Sequence, residues 1–217
     1  MKNFITTPLF LFIFVFAISF GATARNVLSA EEAADQEQPA AQKQMSEKEQ
    51  EMMAKWQEYA TPGEAQKALE QFAGEWDYTV SWWNSPDAEP EKSTGTSENK
   101  MIMGGRYLKQ KAKGTSMGQE YQGMGITGYD NAEEQYEGLW IDNMGTGMML
   151  STGSYDADAK TFTMSGTYNC PMEDNKEKSF RTVATFANED KFTFDMYGPD
   201  MEGTEYKMME IVYTRKK

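Results

Sequence analysis

The chain has 217 residues, 34 acidic and 21 basic, for a formal charge of −13, with no histidine and one cysteine. Without histidine there is no Ser-His-Asp triad, no histidine-ligated haem and no histidine-bearing zinc site; one thiol makes neither an intrachain disulfide nor a four-thiolate metal site. The acidic balance argues against a nucleic-acid partner, whose phosphates require clustered Lys and Arg, and the length suits one domain with tails.

The N-terminus has the form of a secretory signal. Lys2 supplies the positive charge, Leu9 to Phe20 is apolar except for Ser19, and Ala22-Thr23-Ala24 is a small-x-small cleavage site. We expect residues 1–24 to be removed after Ala24 and the protein to be periplasmic or secreted. The apolar run is short for a bilayer span of about 20 residues, so no membrane span is expected after cleavage. Export leads to an oxidising compartment in which Cys170 has no partner in the chain, so stability must come from a packed core.

Residues 25–60 read as a tether. The stretch 25–44 is rich in Ala, Gln and Glu and has too little apolar surface to offset chain entropy. Over 45–60, Met52 or Met53, Trp56 and Tyr59 fall on one stripe of a weakly amphipathic helix. Thr61-Pro62-Gly63-Glu64 then predicts a second helix over 62–72, with Thr61 as cap and Gly74 as stop. Its apolar stripe is Ala65, Ala68, Leu69 and Phe72.

After Gly74 the period switches to two. Trp76, Tyr78, Val80 and Trp82 alternate with polar residues, as do Phe162, Met164, Gly166 and Tyr168, and later Phe192, Phe194 and Met196. Turn signals separate such runs, among them Gly104-Gly105 and Asp130-Asn131. The pattern predicts strands at about 75–84, 95–103, 105–114, 119–129, 134–142, 147–155, 160–169, 178–187, 190–197 and 204–215. About ten strands joined by short turns, over 61–217, form an antiparallel up-and-down meander. Closing it into an all-β barrel removes both exposed edges, and such a barrel is wide enough for a small ligand. A two-sheet sandwich is the alternative, but it calls for longer crossovers.

Gly74-Glu75-Trp76 on the first strand and Arg215 on the last resemble the signature of the calycins, the superfamily of lipocalins, fatty-acid-binding proteins and avidins. That resemblance implies that the Trp76 indole closes one end of the barrel beneath the Arg215 guanidinium, a cation–π contact. More narrowly, Met103-Gly104-Gly105-Arg106-Tyr107-Leu108, Gly125-Ile126-Thr127-Gly128-Tyr129-Asp130-Asn131, then Tyr136, Trp140, Asp142 and Gly145-Thr146-Gly147 resemble the bacterial domain-of-unknown-function family fifteen-seventy-nine over about 60–217. This second resemblance implies a fold but no activity.

No residues stand at catalytic spacing, and the chain is read as a non-enzyme with no cofactor and no metal. Asp156-Ala157-Asp158 is too short for a calcium loop. Met101 and Met103 share a strand face and are the one methionine pair suited to a soft ion such as Cu(I); pliable core filling is the competing reading. The expected function is binding of a small apolar or amphipathic ligand inside the barrel, at Trp82, Arg106, Trp140 and Asp142, with Gly74, Trp76 and Arg215 as structural closure. If Arg106 and Asp142 both face inward they form a buried pair near the mouth; otherwise one or both face solvent. The alternative function is an interaction or structural module with a solid barrel.

Overall fold

The computed structural model describes residues 45–217. The predicted signal and the tether over 25–44 lie outside the described residues.

Ten antiparallel strands form a closed barrel in simple meander order, and the last strand pairs with the first. They are β1 (Gly74–Trp82), β2 (Glu91–Ile102), β3 (Tyr107–Ser116), β4 (Gln119–Asp130), β5 (Gln135–Asp142), β6 (Met149–Asp156), β7 (Thr161–Cys170), β8 (Lys176–Asn188), β9 (Lys191–Pro199) and β10 (Glu205–Arg215). Each predicted strand is present, and the ends differ by a few residues. The sandwich is excluded, because every strand is bonded on both sides to its sequence neighbours or across the β1–β10 seam.

The register sets which side chains enter the barrel. Trp76 pairs with Arg215, Tyr78 with Tyr213, Val80 with Ile211 and Trp82 with Met209, so the apolar alternants of β1 and β10 share the inner face. One irregularity matters. A bulge between Lys207 and Met209 puts Met208 and Met209 on the same inner face. A bulge adds one residue to one strand and so breaks the alternation.

Helices precede the barrel. The first is α1 (Glu47–Ala60), opened by Ser46 and Glu49 in a reciprocal capping box. The second is α2 (Glu64–Ala68), which runs into a turn of 3₁₀ helix at Leu69–Phe72. Its cap differs from the sequence reading. The Thr61 hydroxyl donates back to the Gln57 carbonyl, closing α1, and Gly63 opens α2 with its N–H donated to the Gln66 side chain. Thr61 was needed to end one helix and was not free to start the next.

The segment 64–72 plugs one end of the barrel. Leu69 and Phe72 are buried in a cluster with Trp76, Leu108, Tyr136, Phe162, Phe186 and Phe192. Phe72 lies 4.7–5.2 Å from the rings of Phe162, Phe186 and Phe192. A short helix leaves its last carbonyls without partners, and here barrel side chains supply the donors. Tyr136 Oη donates to the Ala65 carbonyl, Trp76 Nε1 and Asn99 Nδ2 both donate to Phe72, and Arg215 donates to Ala73. Gln66, itself buried, donates to the Tyr129 carbonyl and to Asn131 Oδ1.

Candidate functional site

The Arg215 guanidinium sits 4.1 Å from the centre of the Trp76 ring. Trp76 is completely buried. Gly74 adopts φ +125°, and a Cβ there would overlap Arg215, so a glycine is required where the chain turns from plug to strand. Gly74, Trp76 and Arg215 therefore meet at the plugged end.

Of the four residues expected to bind ligand, three sit at the opposite end. Trp82 ends β1 at the opposite rim, the mouth, and is exposed, with Nε1 donating to Asn84. Trp140 and Asp142 are half-buried on the inner face of β5, also toward the mouth. Trp140 Nε1 donates to Asp142 Oδ2 over 3.2 Å, and Asp142 Oδ1 accepts from the Met144 N–H, so the carboxylate is held in place by its own strand end. The Trp140 ring lies flat over Gly123 and Gly125 of β4, where a Cβ would overlap it.

Arg106 does not join them. It lies in the β2–β3 turn at the plugged end and is exposed, and it donates to the carbonyls of Ala60 and Met103. The sequence argument carried the β3 alternation back past Tyr107, where the strand begins. Met103, Gly104 and Gly105 all have positive φ, and the reversal cancels the parity. Arg106 and Asp142 form no pair. The same turn separates Met101, which faces the core, from Met103, which is exposed, so these two thioethers cannot hold one ion. Among the described residues no cluster of three or more Cys, Asp or Glu has metal-binding geometry.

Three tyrosines were not singled out as site residues. Tyr78 lies over Gly95 and Gly114 and donates to the Lys113 carbonyl. Tyr213 stacks on Phe192 at 4.2 Å and lies 5.6 Å from the Tyr78 ring. Tyr121, on the inner face of β4, rests against Trp140 above Gly123. Burial pushes all three phenols up; Asp142 adds to the effect at Tyr121, and the neighbouring Tyr78 and Tyr121 add to it at Tyr213. Each stays neutral across the physiological range, as a hydrogen-bonding group and not a base. Strand parity had placed Tyr213 inward, but nothing in the sequence marked its hydroxyl as different from any core tyrosine.

The Tyr213 hydroxyl has no hydrogen-bond partner among the described residues. No sealed side-chain polar atom there lacks a partner, so this hydroxyl is not fully sealed. Around and above it, Val80, Gln110, Trp140, Met164, Phe194 and Ile211 point inward yet are only half-buried. At the mouth the interior is roofed by thioethers. Met196 and Met208 are buried with Phe180, and Met149 and Met209 pack against them. On the rim, Lys178 is paired with Glu173, which holds the lysine above its ordinary range.

The outer wall carries two clefts. One, of about 510 Å³, lies near the mouth, where Arg181 makes two hydrogen bonds to Glu205 and covers the Tyr197 ring at 4.1 Å. The other, of about 440 Å³, lies between the end of α1 and the outer face of β3–β6. No helix among the described residues is long and apolar enough to cross a membrane.

Solved structures similar to this chain include the following three. The crystal structure of Rv2717c from M. tuberculosis aligns with a TM-score of 0.53 at 11% identity, over 72% of this chain and 100% of that one. A redesigned β-barrel, b11L5F_LGL, aligns at TM-score 0.35 and 16% identity, over 69% and 96% of the two chains. A redesigned β-barrel, mFAP1, bound to DFHBI, aligns at TM-score 0.36 and 17% identity, over 68% and 98%. At 11% identity the likeness to Rv2717c is one of fold. No curated protein matches. The family described as "Protein of unknown function (DUF1579)" matches residues 61–215, from the plug through the last strand, and the chain belongs to that family.

Proposed function

We propose that the protein is an exported binding protein that takes a small apolar or amphipathic ligand into the upper half of its barrel. The observation that carries this reading is the set of inward residues Val80, Gln110, Trp140, Phe194 and Ile211, which stay only half-buried, so protein side chains do not close the interior there. The Tyr213 hydroxyl makes no hydrogen bond to another described residue and is not sealed, which leaves it free to bond a guest. The surroundings suit an amphipathic guest. Val80, Phe194, Ile211 and Trp140 offer apolar walls, while Tyr121, Gln110 and Tyr213 offer a few polar atoms, the usual composition of a small-molecule site. Methionines are a suitable roof, because an unbranched thioether adapts to differently shaped guests and moves aside at low cost. Export rests on the N-terminal sequence.

Native mass spectrometry of the protein isolated from its own host tests the reading. We expect a non-covalent adduct of a few hundred daltons that is lost on acidification. A bare chain, together with a high-resolution interior containing neither water nor ligand, would sink it. The competing module reading draws support from the two clefts, both of which open on the outer wall; under it the interior stays empty and only surface substitutions affect function.

A further inference from the structure

We infer that the ligand of the barrel is a cation, an amine or quaternary ammonium group on an apolar body, and that Asp142 holds its charge at the mouth. The inference rests on the reading of the barrel as a binding site and names the chemical class that the site takes. Asp142 stands on the inner face of β5, opposite Gly123 of β4, and is half-buried. Two donors fix its carboxylate, Trp140 Nε1 at 3.2 Å and the Met144 N–H at 2.9 Å. A carboxylate offers about four lone-pair directions, so these donors leave room for a further one. Among the described residues no lysine or arginine forms an ion pair with Asp142.

The other inward charges also select a cation. Lys178, which shares the inner face with Tyr168 and Phe180, is the lysine that an anion would seek. It already holds Glu173, and its side chain is only 10% exposed. An entering anion would have to break this shielded pair and leave one partner uncompensated, which is strongly unfavourable. Lys176 is exposed at the start of its strand, and Arg215 is engaged at the plugged end by the Ala73 and Glu189 carbonyls. Glu91 faces inward at the rim beside Trp82 and adds negative charge there. The whole chain carries a formal charge of −13, a field that draws cations toward it before any contact forms.

Aromatic rings complete the subsite. The Trp140 ring lies against Gly123 and Gly125 of β4, so its opposite face looks into the barrel. The Tyr121 hydroxyl reaches the same place above Gly123, close enough to Asp142 for the carboxylate charge to hold the phenol proton on. A cation over the face of an indole or phenol is attracted by the ring, more strongly where water is excluded. Carboxylate and ring face together suit an ammonium group, and Val80, Phe194 and Ile211 beyond them suit the apolar body attached to it. A neutral ligand would use the walls alone.

Displacement of the fluorescent probe N-phenyl-1-naphthylamine by three amphiphiles of equal chain length is the test: decyltrimethylammonium, decanol and decanoate, each below its micellar concentration. The parent protein should take decyltrimethylammonium at least tenfold more tightly than decanol, with decanoate weakest. Asp142→Asn should bring the cation to within threefold of decanol and leave decanol itself unchanged. Glu137→Gln removes the same charge from the outward, exposed side of the same strand and should keep the full preference. Raising the salt should weaken the cation and spare decanol, a readout on the parent alone that stands even if Asp142→Asn does not fold. Equal displacement by all three, a preference for decanoate, a cation indifferent to salt, or a preference that survives Asp142→Asn or is lost with Glu137→Gln overturns the proposal. If the probe does not enter the parent at all, the barrel reading falls and this proposal with it; if it enters and no cation is preferred, only this proposal falls.

Discussion

The two ends of the barrel are built on opposite plans. At the plugged end the aromatic rings interlock at 4.2–5.2 Å, and the carbonyls of the plug accept from Tyr136, Trp76, Asn99 and Arg215. Toward the mouth a second, smaller cluster mixes methionines with rings, Phe180, Met196 and Met208 being buried with Tyr168 and Tyr206 against them, while Val80, Trp140 and Ile211 between the two clusters are half-buried. Close packing and full hydrogen bonding give a rigid end with one arrangement. The looser end has the lower local stability from which binding regions are drawn. The stable end makes the yielding one possible, since a chain without disulfides must place its stability somewhere.

Substitutions at the two ends should therefore differ in cost. The largest effect is expected from Trp76→Ala, which removes a fully buried indole, its bond to Phe72 and the surface under Arg215. Such truncations cost about 3–5 kcal/mol, and urea denaturation should show an unfolding free energy lower by that amount. Next comes Gly153→Ala. A Cβ there overlaps the backbone of Thr163, which cannot step aside as a side chain would, and overpacking costs about 1–3 kcal/mol, with a lower melting temperature as the readout.

Alkaline titration reads burial at both ends, since the Tyr121 phenol near the mouth is pushed up as well as that of Tyr136. Burial pushes Tyr136, which holds the plug, up to about 12 from an ordinary 10, with Tyr129 and Tyr155 adding to the shift. The unfolded chain thus loses this proton first. The stability tied to the neutral phenol is complete below pH 10 and falls as the pH rises from 10 to 12. Melting temperature should decline over that window, with tyrosinate absorbance appearing only as the barrel opens; an unchanged melting temperature up to pH 12 would contradict the placement of Tyr136. The smallest effect on stability is expected at the mouth. Trp140→Ala should lower the melting temperature by only a few degrees while removing a wall of the proposed site; a loss as large as that at Trp76 would assign Trp140 to the core.

Much of the fold was legible because period-two alternation is a direct consequence of a sheet with one dry face. Trp76 to Trp82 and Phe192 to Met196 could not have been read otherwise. Sequence reasoning failed where alternation is interrupted. Arg106 and Met103 were misplaced by a turn of three positive-φ residues, and the bulge that doubles Met208 and Met209 onto one face is invisible to a count by twos. Thr61 was assigned to the wrong helix because a hydroxyl can close one helix or open the next, and only the neighbouring chain decides. The motif Tyr129-Asp130-Asn131 was read as a plain turn. In the structure the Tyr129 carbonyl and Asn131 clamp Gln66 and the end of α1, a task that depends on residues more than 60 positions away. The site was the least legible part. A tyrosine on an inward position looks the same in sequence whether or not its hydroxyl finds a partner.

The most direct test of the two-ended account is titration of the neutral apolar probe N-phenyl-1-naphthylamine into the parent protein, Trp140→Ala and Leu150→Glu, followed by probe fluorescence. The account predicts saturable uptake at one site per chain, unchanged by Leu150→Glu on the outer wall and weakened at least tenfold by Trp140→Ala. Absence of saturable uptake by the parent, or uptake that Leu150→Glu abolishes and Trp140→Ala leaves intact, would contradict it.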